Sequence, residues 1–167
     1  ATMIPELASA ATPLLATLEA HAAVTPSDPL VFAHGTFRPA QVLLYQGRIG
    51  FIDFDSWRRA EPALDLALFL TSIKDIGLSA QRAKAKHDTD ASVDADTRLT
   101  SLIQLEALCD AFLAEYTAHV PILRPRVALW EALNIFSLVL RSWERVKPVR
   151  LDSTMLLLER HIQRHFA

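Results

Sequence analysis

The 167 residues predict an α+β domain, mostly helical, and three observations carry that expectation. Apolar residues recur at helical spacings over most of the chain. Short apolar, partly β-branched runs cluster between residues 30 and 53, and proline-rich breaks separate the segments. A helix, then a hairpin region, then further helices implies a small sheet seated against a helical bundle.

In chain order, Leu7, Ala11, Leu14, Leu15 and Leu18 fall on one face of an amphipathic helix between Ile4 and Ala22, with Pro5 in its first turn. The segment Thr25-Pro26-Ser27-Asp28-Pro29 ends it. Leu30 to Ala33 predicts a short buried strand. Val42 to Tyr45 and Ile49 to Asp53, parted by Gln46-Gly47-Arg48, predict a hairpin. After Pro62 the pattern turns helical, with Leu64, Leu68 and Ile73 on one side. Residues 80–97 carry Lys84, Lys86, Asp88, Asp90, Asp94 and Asp96, which predicts a mobile connection or an exposed helix end. An EF-hand starting at Asp88 is excluded, because Val93 stands where that loop needs glycine and Leu99 where it needs a bidentate glutamate. Helices are then expected over Leu99–His119, Arg126–Val146 and Ser153–His165. The division is one domain over 1–167: helix 1–24, loop and hairpin region 30–55, helical body 62–167.

Composition narrows the functions. The chain is 51% hydrophobic, with 17 Lys+Arg against 19 Asp+Glu. At this length a domain buries about 70% of the surface its unfolded chain exposes, enough for a core without disulfides or structural zinc. The single cysteine, Cys109, fits a reducing, cytoplasmic setting. A net charge of −2 offers no field for phosphate backbones or anionic membranes, so nucleic acid and membrane are not expected partners. Four glycines, Gly35, Gly47, Gly50 and Gly77, cannot assemble a G-x-G-x-x-G or Walker-type loop.

The chemistry concentrates in His34-Gly35-Thr36-Phe37-Arg38-Pro39-Ala40-Gln41, Phe51-Ile52-Asp53-Phe54-Asp55 and Glu61-Pro62-Ala63-Leu64-Asp65-Leu66. A short hairpin brings the loop before it and the loop after it together. Asp53 and Asp55 offer hard oxygens, and the Gln41 amide oxygen a third, the ligand type Mg²⁺ prefers. Arg58 and Arg59 can meet phosphate or simply solvate a loop. An Asp-x-Asp phosphatase loop at Asp53 would need repeated βαβ units, which the helices after Pro62 do not supply. His161 and His165 read as a solvated helix face, Cys109 as a buried small hydrophobe, and Trp130 and Trp143 as core.

These three segments resemble the catalytic core of the aminoglycoside phosphotransferase family, the small-molecule kinases of protein-kinase-like fold that include choline and homoserine kinases. The family pattern is His-Gly-Asp, Asn five residues later, Ile-Asp-Phe or Ile-Asp-Trp after a hairpin, then Asp-Pro-Ala-x-Asp-Leu-Ala. His34-Gly35, Gln41, Ile52-Asp53-Phe54 and Glu61-Pro62-Ala63-Leu64-Asp65-Leu66-Ala67 stand in that order. The resemblance extends over nearly the whole chain and implies the C-terminal lobe of that fold, with the hairpin region carrying the site loops. It implies that Asp53 is the magnesium-binding aspartate, Gln41 a second metal contact, His34 a structural loop residue, and Asp65 a brace for the catalytic loop. The implied activity is ATP-dependent phosphoryl transfer to a small-molecule hydroxyl.

Two departures qualify that activity. Thr36 occupies the position of the catalytic aspartate, and its hydroxyl neither accepts a proton near neutral pH nor carries a charge. The chain as given contains no nucleotide-binding N-lobe, so ATP is expected only in a longer parent and Mg²⁺ binding is expected to be weak. The competing expectation is a degenerate, catalytically silent pseudokinase that binds a metabolite, nucleotide or protein. An open sheet side exposing Phe37, Val42 or Phe54 would favour a homodimer.

Overall fold

The computed structural model describes residues 5–87 and 95–166. Helix α1 (Pro5–Val24) leads through the proline-rich turn to strand β1 (Val31–Ala33). A 3₁₀ turn (Pro39–Gln41) opens the hairpin of β2 (Val42–Tyr45) and β3 (Arg48–Phe51), and a second (Phe54–Ser56) precedes β4 (Arg58–Ala60). Four helices follow: α2 (Pro62–His87), α3 (Ala95–His119), α4 (Arg124–Glu144) and α5 (Pro148–His165).

The hairpin register pairs Val42 with Phe51 and Tyr45 with Arg48. Its two turn residues, Gln46 and Gly47, both have positive φ (47° and 74°), as a type I′ turn requires. The segment around Leu30 differs from expectation, since of β1 only Ala33 is buried. Val31 and Phe32 are exposed, and the strand pairs antiparallel with β4, Val31 opposite Ala60. Nothing in the apolar pattern announced β4, whose Arg58 and Arg59 read as loop residues.

Of the two expectations for 80–97, the helix end holds among the described residues: α2 continues to His87 and α3 begins at Ala95. Asp88, Asp90 and Asp94 lie outside the described residues. At the other end α5 begins at Pro148 rather than Ser153, because a proline in the first turn loses no intrahelical hydrogen bond.

Helix α2 packs against α3 and α4, and α4 against α5. Ala63, Leu66, Ala67 and Leu70 of α2 meet Cys109 and Val127, and farther along Leu78 joins Leu102, Ile135, Val139 and Leu157. Burial pushes the Cys109 thiol up to about 11, so it behaves as an inert apolar group. Trp143 is exposed, whereas Trp130 is partly buried against the core. The hairpin residues Leu43, Leu44, Tyr45, Ile49 and Phe51 are exposed, as are Phe54 and the Phe32–Trp57 ring pair beside them. Phe37 and Val42 are partly covered, Phe37 by stacking on Phe69 with centroids 4.9 Å apart.

Inside this body lies an ion pair: Lys74 Nζ donates to Glu131 Oε1 at 2.6 Å, both side chains 5% exposed. His161 is not on a solvated face but 2% exposed, its Nε2 donating to the Ala128 carbonyl at 2.9 Å and its Nδ1 3.8 Å from Glu131 Oε2. Burial holds its pKa down to about 4, against 6.5 for a free imidazole. The unfolded chain therefore binds an extra proton between those values, and stability is present above 6.5 and lost as pH falls toward 4. Replacement by the neutral isostere, His161→Gln, is expected to flatten that part of the stability–pH curve, followed by urea unfolding at several pH values. An unchanged slope between pH 6.5 and 4 would contradict the assignment.

Among the described residues no helix is long and apolar enough to cross a membrane.

Candidate active site

The loop between β1 and the first 3₁₀ turn is held from below by one carboxylate. Asp65, in the first turn of α2, accepts the backbone N–H of His34 at Oδ2 (2.6 Å) and those of Gly35 (2.9 Å) and Phe37 (3.4 Å) at Oδ1. Three donors on one anion fix the loop's backbone, since charge-assisted bonds are the stronger kind. Gly35 is required there twice over: its φ is +83°, and a Cβ would run into the Ser56 carbonyl.

The start of α2 is itself anchored. Arg126 of α4 grips Glu61 with two donors, Nε to Oε2 at 2.7 Å and Nη2 to Oε1 at 2.5 Å. The bond to Arg126 holds the Glu61 carboxyl below its ordinary range. Asp28, buried, accepts the Leu123 N–H at the approach to α4.

On the upper side of the loop the side chains form a chain of bonds. His34 Nε2 donates to the Ile52 carbonyl (2.9 Å), so in the neutral ring Nδ1 is an acceptor, and the Thr36 hydroxyl donates to it at 3.3 Å. Gln41, 3% exposed, uses every polar group of its amide. Its Oε1 accepts the Arg38 N–H (3.1 Å), and its Nε2 donates to Thr36 Oγ1 (3.3 Å) and Asp53 Oδ2 (2.7 Å). Turning the amide over would set two donors face to face at Arg38 and two acceptors at Asp53. The network thus gives Asp53 the nitrogen of Gln41 and not its oxygen.

Asp53 sits beyond the end of β3 with φ of +71°, a left-handed conformation uncommon outside glycine. That twist lifts its carboxylate, nearly half exposed, out of the hairpin toward Gln41 and Arg38, whose guanidinium lies 3.9 Å from Oδ2. Asp55, on the next 3₁₀ turn, is exposed and joins none of the site's hydrogen bonds among the described residues. The structure therefore brings together His34, Thr36, Gln41, Asp53 and Asp65, and leaves Asp55 at the margin. Sequence reasoning left out Arg38, and it left open Arg58, whose Nη2 lies 3.4 Å from the Gly35 carbonyl. Both are arginines within or next to the motif segments, which was the available signal. Among the described residues no three His, Cys, Asp or Glu side chains converge as a metal cage.

Residues 3–98, more than half of the chain, match the model of the phosphotransferase enzyme family. A glucosamine kinase solved in complex with glucosamine, ADP and inorganic phosphate superimposes with a TM-score of 0.64 at 19% identity. The match covers 95% of this chain and 42% of that one, so the chain spans less than half the length of that kinase. No curated protein matches the sequence. The fold is that of a kinase-like lobe, and the chain belongs to the phosphotransferase enzyme family.

Proposed function

We infer that the chain is the C-terminal, site-bearing lobe of a small-molecule kinase, one that passes a phosphoryl group from ATP to a hydroxyl of its substrate. The observation that carries this reading is the loop on Asp65, which presents the half-exposed Asp53 carboxylate beside Thr36 and Arg38. A single well-held carboxylate fits Mg²⁺, which takes one or two protein oxygens and completes its shell with phosphate and water. Asp53 would hold the ion, Gln41 fixes the carboxylate through its N–H, and Asp55 stands near enough in sequence to assist. Bound there, magnesium would offset charge developing on the transferring phosphoryl group. The glucosamine kinase was solved with ADP and a sugar bound, which supports a nucleotide and a small hydroxylated acceptor as the ligand classes.

Asp53→Asn is expected to abolish the response of the loop amides to Mn²⁺ or Mg²⁺, followed by NMR titration. An unchanged response would remove Asp53 from the metal site.

Thr36 limits what the lobe can do. Its only proton points to His34 Nδ1 and one lone pair accepts from Gln41 Nε2, leaving a single lone pair that can accept a hydrogen bond from a substrate hydroxyl but cannot take its proton near neutral pH. The 167 residues also carry no glycine-rich loop to cover the phosphates. The chain alone is therefore expected to transfer no labelled γ-phosphate to hydroxyl acceptors, and Thr36→Asp is not expected to change that. In a longer protein supplying the nucleotide-binding lobe, Thr36→Asp should raise turnover, since a general base contributes about 10²- to 10⁴-fold. Metal-dependent turnover by the unmodified chain, lost in Asp53→Asn, would contradict the expectation of inactivity. The second reading, a silent ligand-binding pseudokinase, is favoured by Thr36 alone. It gains if the longer protein binds nucleotide yet turns over neither with nor without the substitution.

A further inference from the structure

Residues from all five helices surround one concavity of about 280 Å³, and none of residues 34–55 lines it. Lys74, on its wall, lies nine residues beyond Asp65, about 14 Å along an α-helix, so this place is separate from the loop site. Leu70, Leu113, Val127 and Phe166 give it apolar sides, and Arg164 stands at the exposed mouth, bound to Asp110 at 2.5 Å. Spaces larger than one water molecule are few in a packed interior, and at about 30 Å³ per water this one has room for about nine. The buried charged groups that reach it are Lys74 and Glu131, the ion pair of the helical body.

The pair does not use up its own hydrogen-bonding capacity. An ammonium carries three N–H donors, and Lys74 gives one to Glu131 Oε1 with no second acceptor among the described residues. Glu131 Oε2 accepts no hydrogen bond from those residues either. His161 Nδ1, 3.8 Å from it, has no proton to offer, because the neutral ring keeps its proton on Nε2 at the Ala128 carbonyl. Thr71 Oγ1 and Trp130 Nε1 are shut off from solvent without a partner, but Glu131 Oε2 is not, and Glu131 lines the concavity. Spare donors beside a spare acceptor call for a group that both takes and gives hydrogen bonds, and a hydroxyl does both. Lys74 and Glu131 already balance each other, as do Arg164 and Asp110, so a charged guest would bring an unbalanced charge into a buried place. Drug-sized ligands occupy pockets of about 300 Å³ and more, which limits the guest here to a few carbon atoms.

We propose that this concavity binds a small uncharged polyol. One hydroxyl donates to Glu131 Oε2 and accepts from Lys74, a second accepts the remaining Lys74 N–H, and the carbon chain lies against Leu70, Leu113 and Val127. The proposal does not rest on the reading of the loop site. The test is an NMR titration of the 167-residue chain with glycerol, 1-propanol and 1-propylamine hydrochloride, following the backbone amides and the Lys74 ammonium signal together. Glycerol is expected to shift residues 70–74, 109–113 and 127–131 saturably and to move the ammonium signal. Loss of the second hydroxyl should make 1-propanol about tenfold weaker, the scale of a hydrogen bond to a charged group, and 1-propylamine should bind more weakly than glycerol. The double variant Lys74→Met/Glu131→Leu keeps the apolar walls and should lose the glycerol response. If that variant does not fold, the ammonium signal of the parent decides. The proposal is overturned if glycerol gives no saturable shift, which would leave water as the only guest, or if the shifts fall on residues 34–53. It is also overturned if the amides shift while the ammonium signal stays, if the double variant binds glycerol as the parent does, or if 1-propanol or 1-propylamine binds as tightly as glycerol.

Discussion

Lys74→Met is expected to cost about 3–5 kcal/mol of stability, the range for removing one partner of a buried ion pair. Lys74 and Glu131 lie at the centre of the helical body, and the Glu131 carboxylate would be left in an apolar surrounding with His161 held neutral beside it. Coulomb attraction in the interior is strong, but it mostly repays the cost of taking both charges out of water. The pair is therefore worth little against an apolar pair of similar volume and a great deal against half of itself. The double variant Lys74→Met/Glu131→Leu should accordingly recover most of the loss. Denaturant unfolding of the two variants beside the parent measures both quantities. A single variant that loses under about 1 kcal/mol would show that water reaches the pair and that its burial has been misjudged.

The second large effect belongs to the loop. In Asp65→Ala three backbone N–H groups, those of His34, Gly35 and Phe37, lose their acceptor at once. Hydrogen bonds to a charged group contribute about 1.5–3 kcal/mol each, and because the three share one anion their sum is an upper limit. A loss of about 3 kcal/mol is expected, together with rapid hydrogen exchange at those three amides. Asp65→Asn keeps one acceptor oxygen and should fall between the parent and the alanine variant. Protection at Gly35 that survives in Asp65→Ala would mean that the Gly35–Ser56 contact and the His34–Ile52 bond hold the loop unaided.

Much of this arrangement was legible in the residues, and the parts that were not have physical reasons. The hairpin was readable because Gln46-Gly47 between two apolar runs allows only a tight turn with positive φ. Proximity of His34, Gln41 and Asp53 followed from the hairpin's length. The direction of the Gln41 amide did not, because it depends on the Arg38 N–H and the Asp53 carboxylate meeting it from opposite sides. Strand β4 escaped notice since Arg58 and Arg59 pair through their backbones while both side chains stay exposed. His161 carried a signal that was missed: Leu157, Leu158 and His161 share a helical face, and that face is the buried one. The helix start at Pro148 was missed because a proline after a lysine reads equally well as a stop.

The way Asp65 grips the loop bears on how such a protein changes over generations. It binds the backbone of residues 34, 35 and 37 and passes over residue 36, whose side chain contributes only two long bonds of 3.3 Å. The scaffold of the loop and its chemical identity are thus written in different atoms. A change of side chain at position 36 leaves the three bonds from Asp65 to the loop backbone in place. A lineage built this way can change the chemistry carried at position 36 without losing its fold.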